Sequence, residues 1–87
     1  MVHDAFVNDP TRLQAAFRKA LALPLACDVT KADSSSLRQW DSVAHLQLVV
    51  AIEDEFRVRL SPSDVIELKS YPVAIAILQR HGVWPDA

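Results

Sequence analysis

A carboxylate followed by a hydroxyl, at the head of a long apolar run, is the arrangement in this 87-residue chain best suited to chemistry. The run extends from Ser42 to Phe56 with no glycine or proline to interrupt it. Asp41 is suited to cap that run as a helix, because a side-chain oxygen there can accept from the unpaired amides of the first turn. Ser42 then falls in the first turn, where free N–H groups and the positive end of the helix dipole favour an anion. Such a hydroxyl is well placed to become a phosphodiester. Asp41, Ser42 and His45 can also be read as parts of a hydrolase triad, since a serine and a histidine at i and i+3 share a helix face. A working nucleophile also needs an oriented base and an oxyanion hole, and no nucleophile-elbow motif is present, so no catalytic residue is assigned. His3, His45 and His81 lack ligand spacing, so no metal site is expected, and Cys27 reads as a small apolar residue.

The elements that position Ser42 are helical. Asp9-Pro10 reads as an N-cap and a first-position proline, opening a helix whose apolar stripe is Leu13, Ala16, Phe17, Ala20 and Leu21 and which Pro24 stops. Residues 24 to 41 show no sustained period and form a long loop, pinned to the bundle by Leu25, Val29 and Leu37. After the helix from Ser42 to Phe56, Ser61-Pro62-Ser63-Asp64 predicts a cap, a first-position proline and an acid at N3 for a short third helix. Ser70 caps a fourth helix that tolerates Pro72 in its first turn, buries some of Val73, Ala74, Ile75, Ile77 and Leu78, and ends at Gly82 as a left-handed cap. The expected fold is all-α, with three longer helices and one short one in a single domain packed over roughly residues 10 to 82. The ends, Met1 to Asn8 and Val83 to Ala87, are expected to be loose, with Phe6 and Trp84 able to pack onto the bundle.

At 100° per residue the second helix has more apolar surface than one core contact uses. Leu48, Val49, Ile52 and Phe56 form its core-facing set, while Val43, Leu46 and Val50 make a separate edge beside the serine. That edge reads either as a second buried face or as a docking stripe flanked by Gln47 and Asp54. The Glu53-Asp54-Glu55 cluster opposes the dipole at the helix C-terminus, and Arg57 and Arg59 could offset it.

Asp41-Ser42-Val43, followed by an apolar helix that ends in Glu53-Asp54-Glu55-Phe56, resembles the acyl carrier protein family, and the likeness runs from about Leu13 to Gly82. The resemblance implies a four-helix acyl-carrier-type bundle with a long loop between its first and second helices. It implies phosphopantetheine on Ser42, added from coenzyme A by a phosphopantetheinyl transferase that recognises Asp41. Acyl or ketide intermediates would ride on that arm as thioesters, in fatty-acid-like, polyketide or other specialised biosynthesis, and the chain itself would not be an enzyme. The family uses the second helix as its main recognition surface, which makes Val43, Leu46, Gln47, Val50, Glu53 and Asp54 the expected contacts for acyl-loading and acyl-processing enzymes. Ala44 and Gln47 stand where the family often has acids, and Trp40 where many members have a small residue. Both departures point to a pathway-dedicated carrier with weak electrostatic steering. An aminoacyl or peptidyl carrier is less favoured, because Arg38-Gln39-Trp40-Asp41 lacks the glycines such carriers show before the serine. A helical interaction module that is never modified is the alternative from another class.

Composition agrees with a small globular domain. Hydrophobic residues make up 51% of the chain, enough for a core, and a net charge of −2 is too mild to suggest nucleic-acid binding. A chain this short buries only roughly 60–65% of the surface its unfolded form exposes. One cysteine excludes an internal disulfide, the N-terminus does not resemble a signal peptide, and no apolar run is long enough to span a bilayer. A cytoplasmic monomer is the expectation.

Overall fold

A computed structural model describes residues 9–24 and 26–84. Among these residues there are four α-helices and no strand: α1 (Asp9–Leu21), α2 (Ser42–Phe56), α3 (Pro62–Glu67) and α4 (Tyr71–Arg80). The fold is therefore all-α, with α3 the short helix at 6 residues. α1 and α2 form the main packing pair. Leu13, Ala16, Phe17 and Leu21 of α1 are buried against Leu48, Val49, Ile52 and Phe56 of α2, with Ala20 half-buried at the edge, so both expected stripes face the core. Tyr71, Ala74, Ile77 and Leu78 of α4 complete it, while Val73 and Ile75 are half-buried.

The long loop is more ordered than its composition suggests. Asp28 caps a single 3-10 turn, Val29–Lys31, by accepting from the N–H of Thr30, an element absent from the sequence reading. Val29 is buried and Leu37 half-buried, as expected of anchors; Leu25 lies outside the described residues. Two backbone bonds, Ser34 N–H to Lys69 O at 2.8 Å and Tyr71 N–H to Ala32 O at 3.1 Å, stitch the loop across the start of α4. The serine run folds back on Asp33, whose carboxylate accepts from Ser35 N–H at 2.8 Å and from Ser35 Oγ at 2.6 Å. Those two donors hold the Asp33 carboxyl below the usual range.

Aromatic rings carry the loop into the core. Phe17, fully buried, meets the edge of Trp40 at 5.7 Å between centroids and that of Tyr71 at 5.4 Å. One ring thus joins α1, the loop and α4. At the other end of α2, Trp84 is buried against Phe56 at 6.0 Å, so Val83 and Trp84 belong to the packed body rather than to a loose end. Phe6 lies outside the described residues.

Helix ends follow the expected caps at α2, α3 and α4. Asp41 accepts from Ala44 N–H at 2.9 Å, Ser61 and Asp64 form a reciprocal capping box, and Ser70 accepts from Val73 N–H. The α1 helix differs at both ends: Asp9, where the described residues begin, already lies within it rather than capping it, and Ala22, not Pro24, ends it. Ala22 adopts φ 52° and Leu23 N–H bonds back to Arg18 O at 3.0 Å, the six-residue closure of a Schellman motif. Arg57 ends α2 in the same way, with φ 55° and Val58 N–H on Glu53 O. Gly82, at φ 73°, ends α4 with Val83 N–H on Leu78 O and is the only one of the three whose residue type suits the conformation.

Asp64 does more than cap. Its carboxylate accepts from Arg80 Nη2 and His81 Nε2, both at 2.7 Å, and from Ser61 N–H at 3.1 Å, tying α3 to the end of α4. The His81 hydrogen bond, helped by Ser61 N–H, lowers the Asp64 pKa from 3.8 to about 2, against the opposing pull of burial.

Two outcomes follow from these contacts. Relieving the left-handed alanine by Ala22→Gly is expected to stabilise the fold by about 0.5–1 kcal/mol, after the extra chain entropy of glycine is subtracted. Thermal unfolding should register that as a rise of a few degrees. The depressed Asp64 carboxyl contributes stability that is complete above its ordinary pKa of 3.8 and lost as pH falls through about 2. Denaturant titrations at descending pH should show that loss in the native protein, whereas Asp64→Asn should be less stable at neutral pH and flatter through the acid range.

Candidate functional site

Ser42 is exposed at the first position of α2, one residue after its cap. Asp41 uses its carboxylate on Ala44 N–H and its carbonyl on His45 N–H at 2.8 Å. Among the described residues, Ser42 Oγ and the N–H groups of Ser42 and Val43 have no hydrogen-bond partner. A hydroxyl and two donors are therefore open to solvent at the positive end of the 15-residue α2 helix.

The position of this turn depends on Trp40 and His45. The Trp40 indole N–H donates to His45 Nδ1 at 2.9 Å, and the other ring nitrogen of His45 lies 2.8 Å from Val65 O. An imidazole that accepts at Nδ1 must carry its proton on Nε2, so His45 donates to Val65. That carbonyl is one of the last in α3 and has no amide within the helix to accept from. His45 thus joins the residue before Asp41 to α3. With both nitrogens engaged it is not poised to take a proton from Ser42, which removes the base from the triad reading. Among the described residues, no group of three His, Cys, Asp or Glu side chains lies close enough to hold a metal ion.

Ser42 lines one groove, and a second begins at the next residue, Val43. The smaller, about 490 Å³, lies between the start of α2 and α3; Trp40 and Leu68 line it below, Leu46 and Ile66 at the rim, and Ser42 and Lys69 with polar groups. The larger, about 600 Å³, lies between α1 and α2 and is lined by Val43, Leu46, Gln47, Val50 and Asp54 of α2 with Lys19 of α1. Val43, Leu46 and Val50 are 65%, 59% and 54% exposed, which settles the two readings of that edge in favour of an open face.

Five of the six expected contact residues come together in the larger groove; Glu53 does not. Its carboxylate accepts from Leu60 N–H at 2.9 Å and holds the turn into α3. Glu55 is also engaged, paired with Arg12 at 2.9 Å, while that guanidinium bonds the Glu55 carbonyl and lies 4.6 Å over the Phe56 ring. The acidic end of α2 is therefore a set of internal ties with Asp54 left at the surface. Arg12, rather than Arg57 or Arg59, offsets its charge. Sequence reasoning missed Lys19, Trp40 and His45 as parts of the site. The i, i+5 spacing of Trp40 and His45 across a helix start is a signal that could have suggested that pair.

Because Val50 is open and Leu48 is fully buried on the same helix, their truncations should separate. Leu48→Ala is expected to cost about 2–5 kcal/mol, whereas Val50→Ala should stay within about 0.5 kcal/mol of the native protein. Chemical denaturation of the two variants side by side checks this.

Comparison with models of protein families, with curated proteins and with solved structures finds no match to this chain.

Proposed function

We propose that this chain is a carrier of the acyl carrier protein type, which holds acyl or ketide intermediates through a phosphopantetheine arm on Ser42. The observation that carries the reading is the exposed, unpartnered Ser42 hydroxyl on the first turn of α2, in the lining of one largely apolar groove and one residue before a second. The chemistry of the donors present suits the arm. A phosphate on Ser42 Oγ would meet the open N–H groups of Ser42 and Val43 and the helix dipole, with no acidic side chain but Asp41 lining the neighbouring groove. When attached, the arm supplies a thiol that holds the load as a thioester.

The protein's own residues do the rest. Asp41 caps α2 and fixes the first turn, so the hydroxyl is presented on a rigid element. Trp40 and His45 hold the preceding loop against α3, which keeps the approach to Ser42 clear. Val43, Leu46 and Val50, with Gln47 and Asp54, offer a contact face to the transferase and to the enzymes that load and process the cargo. Apolar burial should dominate that contact, because Glu53 and Glu55 are tied internally.

Incubation with coenzyme A and a broad-range phosphopantetheinyl transferase, followed by intact mass measurement, tests the proposal. The native chain is expected to gain one arm, and Ser42→Ala none. A gain by Ser42→Ala would move the site elsewhere. No gain by the native chain would favour an unmodified helical interaction module.

A further inference from the structure

The charges beside the larger groove are unevenly used. Of the three cations on α1, Arg12 is paired with Glu55, and Arg18 donates to Pro24 O at 3.0 Å and Cys27 O at 3.3 Å. Lys19 is exposed and has no partner among the described residues. Of the three acids near the end of α2, Glu53 is bound to Leu60 N–H and Glu55 to Arg12, while Asp54 is exposed and has no partner. The two unused charges are the two that line the groove, one on each wall, with the exposed Val43, Leu46 and Val50 beside them. They form no ion pair with each other, so the groove is not bridged.

We propose that Lys19 is a specificity-determining residue of this groove, one that selects a protein partner presenting an acidic side chain to α1. The same partner places an apolar anchor over Val43, Leu46 and Val50 and a basic side chain opposite Asp54. A partner whose docking face is basic throughout would bring a like charge to Lys19 as water leaves the groove, a repulsion that Asp54 on the opposite wall offsets only in part. The groove therefore fits a mixed-charge surface and disfavours a uniformly basic one. This inference rests on the carrier reading, because it takes the face beside Ser42 as the docking face.

The test is the rate of arm attachment to Ser42 by a broad-range transferase with a basic docking face, using coenzyme A and intact mass as the readout. Lys19→Glu is compared with Lys31→Glu, which changes net charge equally on an exposed residue of the 3-10 turn that lines neither groove. Lys19→Glu is expected to raise kcat/KM roughly three- to tenfold at low salt, with the gain shrinking as salt rises, and Lys31→Glu to stay within about twofold. A transferase variant carrying glutamate in place of the basic residue nearest α1 should reverse the order and favour the native chain. Equal gains from both lysine variants, or none from Lys19→Glu, would overturn the assignment and leave the carrier reading intact. Failure of every variant, native included, to gain mass would remove the carrier reading and this inference with it. Sedimentation at rising concentration adds one further outcome: a dimer that Lys19→Glu dissolves would give the groove to a second copy of the chain and overturn the mixed-charge partner.

Discussion

The Trp40 side chain carries the constraint on which the site depends. A large indole buried in a core this small brings with it one N–H that cannot be left without an acceptor. His45 Nδ1 is that acceptor, and the bond fixes the tautomer that lets the opposite nitrogen donate to Val65 O. The same indole lies on the edge of Phe17, which in turn meets Tyr71. α1, the loop, the start of α2, α3 and α4 therefore share one continuous set of contacts, and Asp41 and Ser42 follow immediately after it in the chain. The exposed hydroxyl is held by residues that are themselves mostly buried.

Electrostatics in this molecule are largely structural. Asp64 gathers Arg80, His81 and Ser61 N–H at the junction of α3 and α4, and Arg80 reaches Glu67 as well. Glu53 and Glu55 hold the far end of α2 to the following turn and to α1. An isolated pair at the surface is worth little, but Asp64 is a buried carboxylate whose lone pairs are met by several donors, a more consequential arrangement. The acids in the sequence thus overstate the charge available for recognition, and the net −2 of the chain says little about the local field beside Ser42.

The parts of the fold that were legible in the sequence are those set by neighbours in the chain. The period of Leu13, Phe17 and Leu21, the Asp41 cap and the Ser61–Asp64 box each depend on residues a few positions apart, and each formed as expected. The left-handed ends at Ala22 and Arg57 were not legible, because neither residue type favours that conformation. The same limit applies at the site. The helical wheel set Val43, Leu46 and Val50 apart from the core-facing set but left their burial open, while the use of Glu55 depends on Arg12, 43 residues away, and that of Glu53 on the path of the turn to Leu60. The proposed chemistry at Ser42 rests on the resemblance together with these local features.

The bond from His45 to Val65 has a geometric consequence. Val65 O in the last turn of α3 is met by a side chain from α2, as Glu55 O in the last turn of α2 is met by Arg12 from α1. One imidazole therefore acts as a spacer of fixed length between the start of α2 and the last turn of α3. The groove beside Ser42 has a brace across its floor, while the groove between α1 and α2 has no bridging ion pair between its charged walls. The groove that Ser42 lines is thus a gauge of set width, suited to measuring what enters it, while the other is a trough whose walls are fixed by the α1–α2 core and whose two charges stay open to an occupant.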